Sequence, residues 1–508
     1  MNSEYIPLLV FAAAFFAGTV GSGVTATLGI GVLLLFECWF VYKFLRHIYF
    51  HRRRNLIACI AISAAGVYAA LFPFINNQEL WVDEIQVIRF GRLPLDSIAR
   101  FVMTEHTAVP PLDYWNMWVW DKVVSLFPVS IWEYAYRVPY MMLHTLAALL
   151  LALVYCDMIE KRKHWEDSVM IWVGFLLYFF NPLPFVYSYE IRFYAMMLLG
   201  AVVVMALYYR NKLFSVSYYP LMVLFCLNSI YHFFILVPFL IVGMLKKETR
   251  RNAVLLYSAV GAAAITVVPF LYVPHPDSGI VATERIFSGL SWLQNFYLNP
   301  AWKVYAALSA LLILCIVRTK RAVFFFGSAL FYIFVVVILD MKYNYRYFGA
   351  KHFLYAIPAF TVLVYELMSV ARSLVVRIGV VCVLAFLFLW PFYSYLYDTY
   401  TGKVLLAKSP LGLKQVFQYV SDHSVGTVIV DYGNATEEDI RYYELAISWY
   451  APLYSKPKII YRTGYVGCRV LTQKASALLY SVAGVPNCGE KSDWTVTPLF
   501  DSAMVTKP

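Results

Sequence analysis

Adjacent carboxylates stand at Asp83 and Glu84 in the stretch WVDEIQVIRFGRL, just after a long apolar run. An acid in that position can take a proton from a hydroxyl as a general base. A second charged group, Tyr187-Ser188-Tyr189-Glu190-Ile191-Arg192-Phe193-Tyr194, lies between two apolar runs with almost no loop. Charges at such a depth are costly unless they are paired or face a wet cavity. Glu190 and Arg192 are two residues apart, so they cannot both follow one helical direction, and at least one must face something other than its neighbour. A third group, Tyr343 to His352, carries Arg346 and Lys351 together with the phenols of Tyr345 and Tyr347. Cations and phenols of this kind can hold a phosphate or another oxyanion. Two imidazoles complete the set: His106, ahead of Pro110-Pro111, and His232, near the end of an apolar run.

Each group also has a plainer reading. An acidic pair after a helix is often a solvated end, and Arg or Lys at a span end usually snorkels. Interfacial Tyr and Trp form the ordinary aromatic belt, and a lone apolar-face histidine is more often a satisfied core residue than a catalyst. What distinguishes the chemical reading is that the groups share one side of a membrane, which depends on the elements that carry them.

Of 508 residues, 61% are hydrophobic and 14% charged, and the mean hydropathy is +0.66. Repeated apolar runs in such a chain predict a polytopic, all-α membrane protein. About thirteen spans are expected, near Ile6–Val24, Thr27–Arg46, Asn55–Ile75, Ala135–Asp157, Asp167–Pro184, Ile191–Tyr209, Phe214–Ser229, Tyr231–Leu245, Ala253–Val273, Lys303–Val317, Ala322–Leu339, Phe353–Val370 and Arg377–Leu396. The net charge of +11 sits in short connectors (RHIYFHRRR, EKRKHWED, RNK, KKETRR, RTKR and Arg372 to Arg377). With alternating spans these all fall on one side, which the positive-inside rule makes the cytoplasm. Clustered this way, the basic residues are a topology signal and give no reason to expect a nucleic-acid partner. The loop 76–134, the turn at Tyr187–Glu190, the segments Pro274–Trp302 and Asp340–His352, and everything after Tyr397 then lie outside. The start has no basic region ahead of its apolar run, so it predicts a retained helix, not a leader peptide.

Residues 397–508 predict a small α/β domain on the outer face: LGLKQVFQYVSDH and ATEEDIRYYELAISWY have helical spacing, and VGTVIVDYG and PKIIYR read as strands. Cys468 and Cys488 lie in this tail, where an oxidising exterior favours a disulfide, and Asn434-Ala435-Thr436 fits a glycosylation sequon. No clustered cysteines or histidines point to a metal. Asp83, Glu84 and a third acid could bind a divalent metal, but no metal or cofactor is expected.

The order of these elements resembles the GT-C superfamily of integral-membrane glycosyltransferases, nearest the protein O-mannosyltransferase and lipid A aminoarabinose transferase branch. The resemblance rests on Asp83-Glu84 in the first large outer loop, Pro110-Pro111-Leu112-Asp113-Tyr114-Trp115, Arg137-Val138-Pro139, the Tyr187–Tyr194 stretch, Tyr231-His232 and Arg346-Tyr347, and covers roughly Ile57 to Leu396. It divides the chain into two added helices at 1–54, a catalytic membrane core at 55–396 and the tail domain. The aminoarabinose-transferase branch has a lysine where this chain has Val109, so phosphate binding from that loop falls to His106 or to a residue from elsewhere.

Membership would imply an inverting transfer of a sugar from a polyprenyl-phosphate donor, such as undecaprenyl phosphate. The acceptor would be a glycan, glycolipid or protein at the outer face of a plasma or bacterial inner membrane, for example lipopolysaccharide O-antigen. By motif position Asp83 is then the base and Glu84 orients it or the acceptor. Arg192, Arg346 and Lys351 are the phosphate partners, and Tyr345 and Tyr347 add donors. Glu190, Tyr194, His106 and His232 complete the donor site. A lipid transporter or flippase predicts charges at mid-span with inverted repeats, which this sequence lacks. A polymerase or ligase using a diphosphate-linked donor stays open.

Overall fold

A computed structural model describes residues 54–104, 110–159, 167–271, 320–343, 354, 356–370, 413–431, 437–454, 457–462, 477–481, 495–499 and 502–506, with short pieces between 10 and 35 and Gly379. His106, Tyr345, Arg346, Tyr347, Lys351, the Cys468–Cys488 pair, the sequon and the spans expected at 303–317 and 377–396 lie outside the described residues, apart from Gly379 in the last of these.

The described chain is mostly helical. In order it runs α1 (Arg54–Ala70), α2 (Phe72–Asn77), α3 (Val82–Gly91), α4 (Ile98–Thr104), α5 (Pro111–Val124), α6 (Trp132–Ile159), α7 (Asp167–Phe179), α8 (Pro182–Ser188), α9 (Tyr194–Tyr209), α10 (Tyr219–Asn228), α11 (Tyr231–Leu245), α12 (Arg250–Leu271), α13 (Lys320–Tyr343) and α14 (Ala356–Val370). The tail follows as α15 (Leu413–Asp422), β1 (Thr427–Asp431), α16 (Glu437–Tyr454), β2 (Lys458–Arg462), β3 (Ala477–Ser481), β4 (Thr495–Leu499) and β5 (Ser502–Thr506). Among the described residues one helical stretch, Val129–Met158, is long and apolar enough to cross a membrane. Shorter apolar helices include Tyr194–Tyr209, Tyr231–Leu245 and Ala356–Glu366.

The chain divides into two compact units. The first holds Met1–Phe72, Phe90–Val123 and Tyr136–Val404; the second holds Pro73–Arg89, Val124–Ala135 and Leu405–Pro508. In the first unit α9 is the central element. It carries no charged side chain, and every residue from Tyr194 to Leu207 is buried, as expected of a helix apolar on all sides. It packs against α8, α10, α11 and α14. A core of Tyr194, Met197, Leu198 and Ala201 with Tyr231, Ile235, Tyr332, Val336 and Leu354 joins it to α11, α13 and the start of α14. At its far end the backbone N–H of Lys212 returns to the carbonyl of Leu207, and Asn211 takes the left-handed conformation (φ 55°) that closes the last turn. There Arg210 grips Asp157 of α6 through paired bonds of 2.6 and 2.9 Å.

The second unit is built around a five-stranded sheet of order β2-β1-β3-β5-β4. β1 pairs in parallel with β2 and β3, while β5 runs antiparallel to both β3 and β4. Helix α15 buries Leu413, Val416, Phe417 and Val420, one face at helical spacing. It stops at Ser424, whose φ of 51° lets the N–H of Val425 reach the carbonyl of Val420. The residues ahead of α3 are held by this same unit. Lys414 gives its backbone N–H to Glu79 at 2.6 Å and its ammonium to the Asn76 carbonyl at 3.0 Å and to Glu133 at 3.1 Å. The N–H of Leu80 donates to the Tyr450 hydroxyl at 2.7 Å.

Candidate functional site

Asp83 and Glu84 occupy the first turn of α3, and Trp81 is its N-cap. The Trp81 carbonyl accepts the first helical bond, from the N–H of Ile85 at 2.9 Å. The Trp81 N–H, which no helical carbonyl can reach, donates to Glu84 Oε2 at 2.8 Å. This is the reach-back half of a capping box, with Glu84 at the third helical position. Glu84 is buried in this role, whereas Asp83 is half-buried and accepts a 3.0 Å bond from the Trp81 indole N–H at Oδ2. One tryptophan therefore fixes both acids, Glu84 through its backbone and Asp83 through its ring.

The first unit gathers a separate polar group. Arg192 lies in the turn between α8 and α9, where its N–H bonds the carbonyl of Glu190 at 2.8 Å. The Arg192 guanidinium donates from Nη1 to the Tyr194 hydroxyl at 3.1 Å and lies 5.7 Å from that ring's centre. Glu190 and Arg192 are half-buried, and Tyr194 is buried at the head of α9. Asp113, in the first turn of α5, is only 5% exposed. Its Oδ1 accepts a long 3.4 Å bond from the Tyr140 hydroxyl of α6, and its Oδ2 has no hydrogen-bond partner among the described residues. Burial raises the Asp113 carboxyl to about 7, against the downward pull of the Tyr140 hydrogen bond and the Arg192 charge. Sequence reasoning gave Asp113 no role beyond its place in a motif. Only its burial, the Tyr140 hydroxyl of α6 and the charge of Arg192, all brought from elsewhere in the chain, make it unusual.

A buried chain of hydrogen bonds sets the start of that turn. Ser188, the last residue of α8, gives its hydroxyl proton to the carbonyl of Phe185. The 3.0 Å contact between Ser188 Oγ and the Tyr68 hydroxyl must therefore use the Tyr68 proton. The 2.9 Å contact between Tyr68 and His144 Nδ1 then requires the proton on that nitrogen. His144 is consequently the Nδ1–H tautomer, fully buried, with its ring against Phe179 and Tyr178. Helices α1, α6 and α8 are thus joined immediately before Tyr189-Glu190-Ile191-Arg192.

His232 belongs to a different setting. It is fully buried in α11, its ring 4.9 Å from that of Phe225 and pressed against Gly200 of α9. Among the described residues no group of three or more His, Cys, Asp or Glu side chains is arranged to hold a metal ion. Of the residues singled out from the sequence, the structure brings Arg192 and Tyr194 into contact, with Glu190 in the same turn, and sets Asp83 and Glu84 in one helix start. Comparison with protein-family models, characterised proteins and solved structures finds no match, so what the site can do rests on its own residues.

Proposed function

We propose that the chain is a polytopic membrane glycosyltransferase that moves a sugar, with inversion, from a polyprenyl-phosphate donor to an acceptor at the outer membrane face. The observation that carries this reading is the Arg192 group. A guanidinium held by Tyr194 and acting on the buried Asp113 stands at one end of an apolar helix, and Arg210 with Asp157 stands at the other. Sixteen residues of α9 separate the two ends, about 24 Å at the helical rise. Charges confined to the ends of an element with an apolar, buried length between suit a bilayer. A cation at one end suits a lipid's phosphate.

The chemistry follows from the groups available. Asp83, oriented by the Trp81 indole, takes the proton of the acceptor hydroxyl as its oxygen bonds to the anomeric carbon. The bond from that carbon to the donor phosphate breaks, and the electron pair leaves with the phosphate. Arg192 stabilises the departing charge through its guanidinium. A charge-assisted hydrogen bond is worth roughly 1.5–3 kcal/mol, about one to two powers of ten in rate. Glu84 is the positioning residue, since it caps the helix that presents Asp83.

The test is transfer by purified protein from a panel of labelled polyprenyl-phosphate sugars, with candidate glycan acceptors supplied. Sugar on an acceptor with release of polyprenyl phosphate, lost in Asp83→Asn and in Arg192→Gln, establishes the class and names the donor. A folded protein that turns over none of the donors removes the proposal and moves the weight to transport or a diphosphate-linked donor.

A further inference from the structure

The Asp113 carboxyl is buried within electrostatic reach of a cation, Arg192, that the proposed reaction assigns to phosphate. As a carboxylate it is poorly compensated, with one oxygen holding a 3.4 Å bond from Tyr140 and the other holding none among the described residues. The groups that act on it are Tyr140, from α6, and Arg192, from the turn ahead of α9. Tyr140 is neutral, which leaves Arg192 as the countercharge. A phosphodiester bound at Arg192 would engage that charge and set a second anion near Asp113. Both effects favour the neutral acid. The protonated carboxyl would have an O–H to offer a phosphate oxygen, where the carboxylate would repel it.

We propose that Asp113 meets the donor phosphate as a neutral acid, so that donor binding draws one proton onto it from solvent. This rests on the reading of Arg192 as the phosphate's partner. No covalent step is involved: one proton leaves water, one O–H bond forms on Asp113, and the bound diester keeps its single negative charge. With the empty-site carboxyl at about 7, donor binding is strongest in mildly acidic solution and weakens as pH rises. At a pH above that value the free protein holds a carboxylate that must be protonated for the donor to bind. Below it the proton is already in place.

The probe is citronellyl methyl phosphate, a phosphodiester whose charge is constant across this range, titrated into the detergent-solubilised full chain. Calorimetry in two buffers of different ionisation enthalpy counts the protons taken up. At about pH 8 the expected result is close to one proton per diester bound, with Kd rising about tenfold per pH unit above about pH 7. In Asp113→Asn the uptake disappears, the profile becomes flat and binding is no weaker than that of the native protein in mild acid. Tight binding by the native protein without proton uptake overturns the proposal, and so does uptake that persists in Asp113→Asn. The native protein's proton count decides even if the variant fails to fold. Arg192→Gln separates the two ideas. Loss of binding in Arg192→Gln with no proton uptake in the native protein sinks only the Asp113 proposal. A diester that ignores the Arg192 substitution, or does not bind the native protein, sinks the phosphate reading as well.

Discussion

Asp113 makes a thermodynamic prediction independent of any substrate. Its carboxyl titrates at about 7 in the folded protein, against 3.8 for the free side chain. The folded chain therefore holds this proton more tightly than the unfolded one. That contribution is complete below about pH 4 and is lost as pH rises through about 7, to a total of up to about 4 kcal/mol. Asp113→Asn is expected to raise the melting temperature relative to the native chain at about pH 8 and to leave it nearly unchanged at about pH 3, where the carboxyl is protonated in both folded and unfolded chains. Equal shifts at both values would mean that the carboxyl is not buried as described. Glu84 is a second case. Glu84→Ala removes the Glu84 bond to the Trp81 N–H and is expected to cost about 1 kcal/mol in thermal unfolding and, on the proposed mechanism, to lower kcat in the transfer assay, whereas Glu84→Gln is expected to keep the bond and most of the rate. On the proposed mechanism Asp83→Asn is expected to leave the fold intact and to lower kcat in the transfer assay by roughly 10²–10⁴-fold.

At this scale the sequence was informative where neighbours along the chain decide the outcome. The sequence singled out the two acids but set them after the end of an apolar run, whereas they lie in the first turn of a new helix that Trp81 caps. Asp113 was not legible, because its burial and its proton affinity come from Tyr140 and Arg192 on other elements.

Among the elements, α8 and the turn after it depend on the Tyr68–His144–Ser188 chain. His144→Asn can keep a donor where Nδ1–H now stands, while His144→Phe fills the space and removes it. The expected result is a rise in donor KM in His144→Phe with kcat little changed, and near-native values in His144→Asn. Equal behaviour of the two variants would show that only volume matters there. Gly200 gives a packing prediction: a methyl group on it runs into the His232 ring and lies 2.8 Å from a carbon of Phe225. Gly200→Ala should destabilise the protein by about 1–3 kcal/mol, read by thermal unfolding. Element boundaries were legible in part. The sequence placed a helix at Tyr231–Leu245 and the first four elements of the tail, which the structure has at Leu413–Asp422, Thr427–Asp431, Glu437–Tyr454 and Lys458–Arg462. It read Asp167–Pro184 as one span, whereas the helix stops at Phe179 and a new one starts at Pro182, since proline cannot continue the ladder but suits a first turn. The strands β3, β4 and β5 went unnoticed, being short, with Pro498 inside β4.

For the whole molecule, the second unit is assembled from three separated pieces of chain, and Lys414 is its buried junction. Its side chain is 9% exposed and that of Glu133 only 3%. Breaking such a pair from one side strands a buried charge, so Lys414→Met should cost about 3–5 kcal/mol, and adding Glu133→Leu should recover much of that loss. Near-additive losses in the double variant would show that the two side chains do not act as a pair. Sequence periodicity predicted the helix that carries Lys414. It could not predict that Glu79 and Glu133 would be its partners, because nothing local links them.

The clamp on the segment before Asp83 also has a timetable. Glu79 waits 335 residues for the backbone of Lys414, and Leu80 waits 370 residues for the hydroxyl of Tyr450. At ordinary rates of synthesis that delay is roughly 20–70 s. A ribosome that stalls before Lys414 has already made both acids of α3, but not the frame that fixes the segment leading into them. Partial products would therefore carry the carboxylates and their Trp81 cap without the frame that holds Glu79 and Leu80, and that frame would close only as the tail emerges.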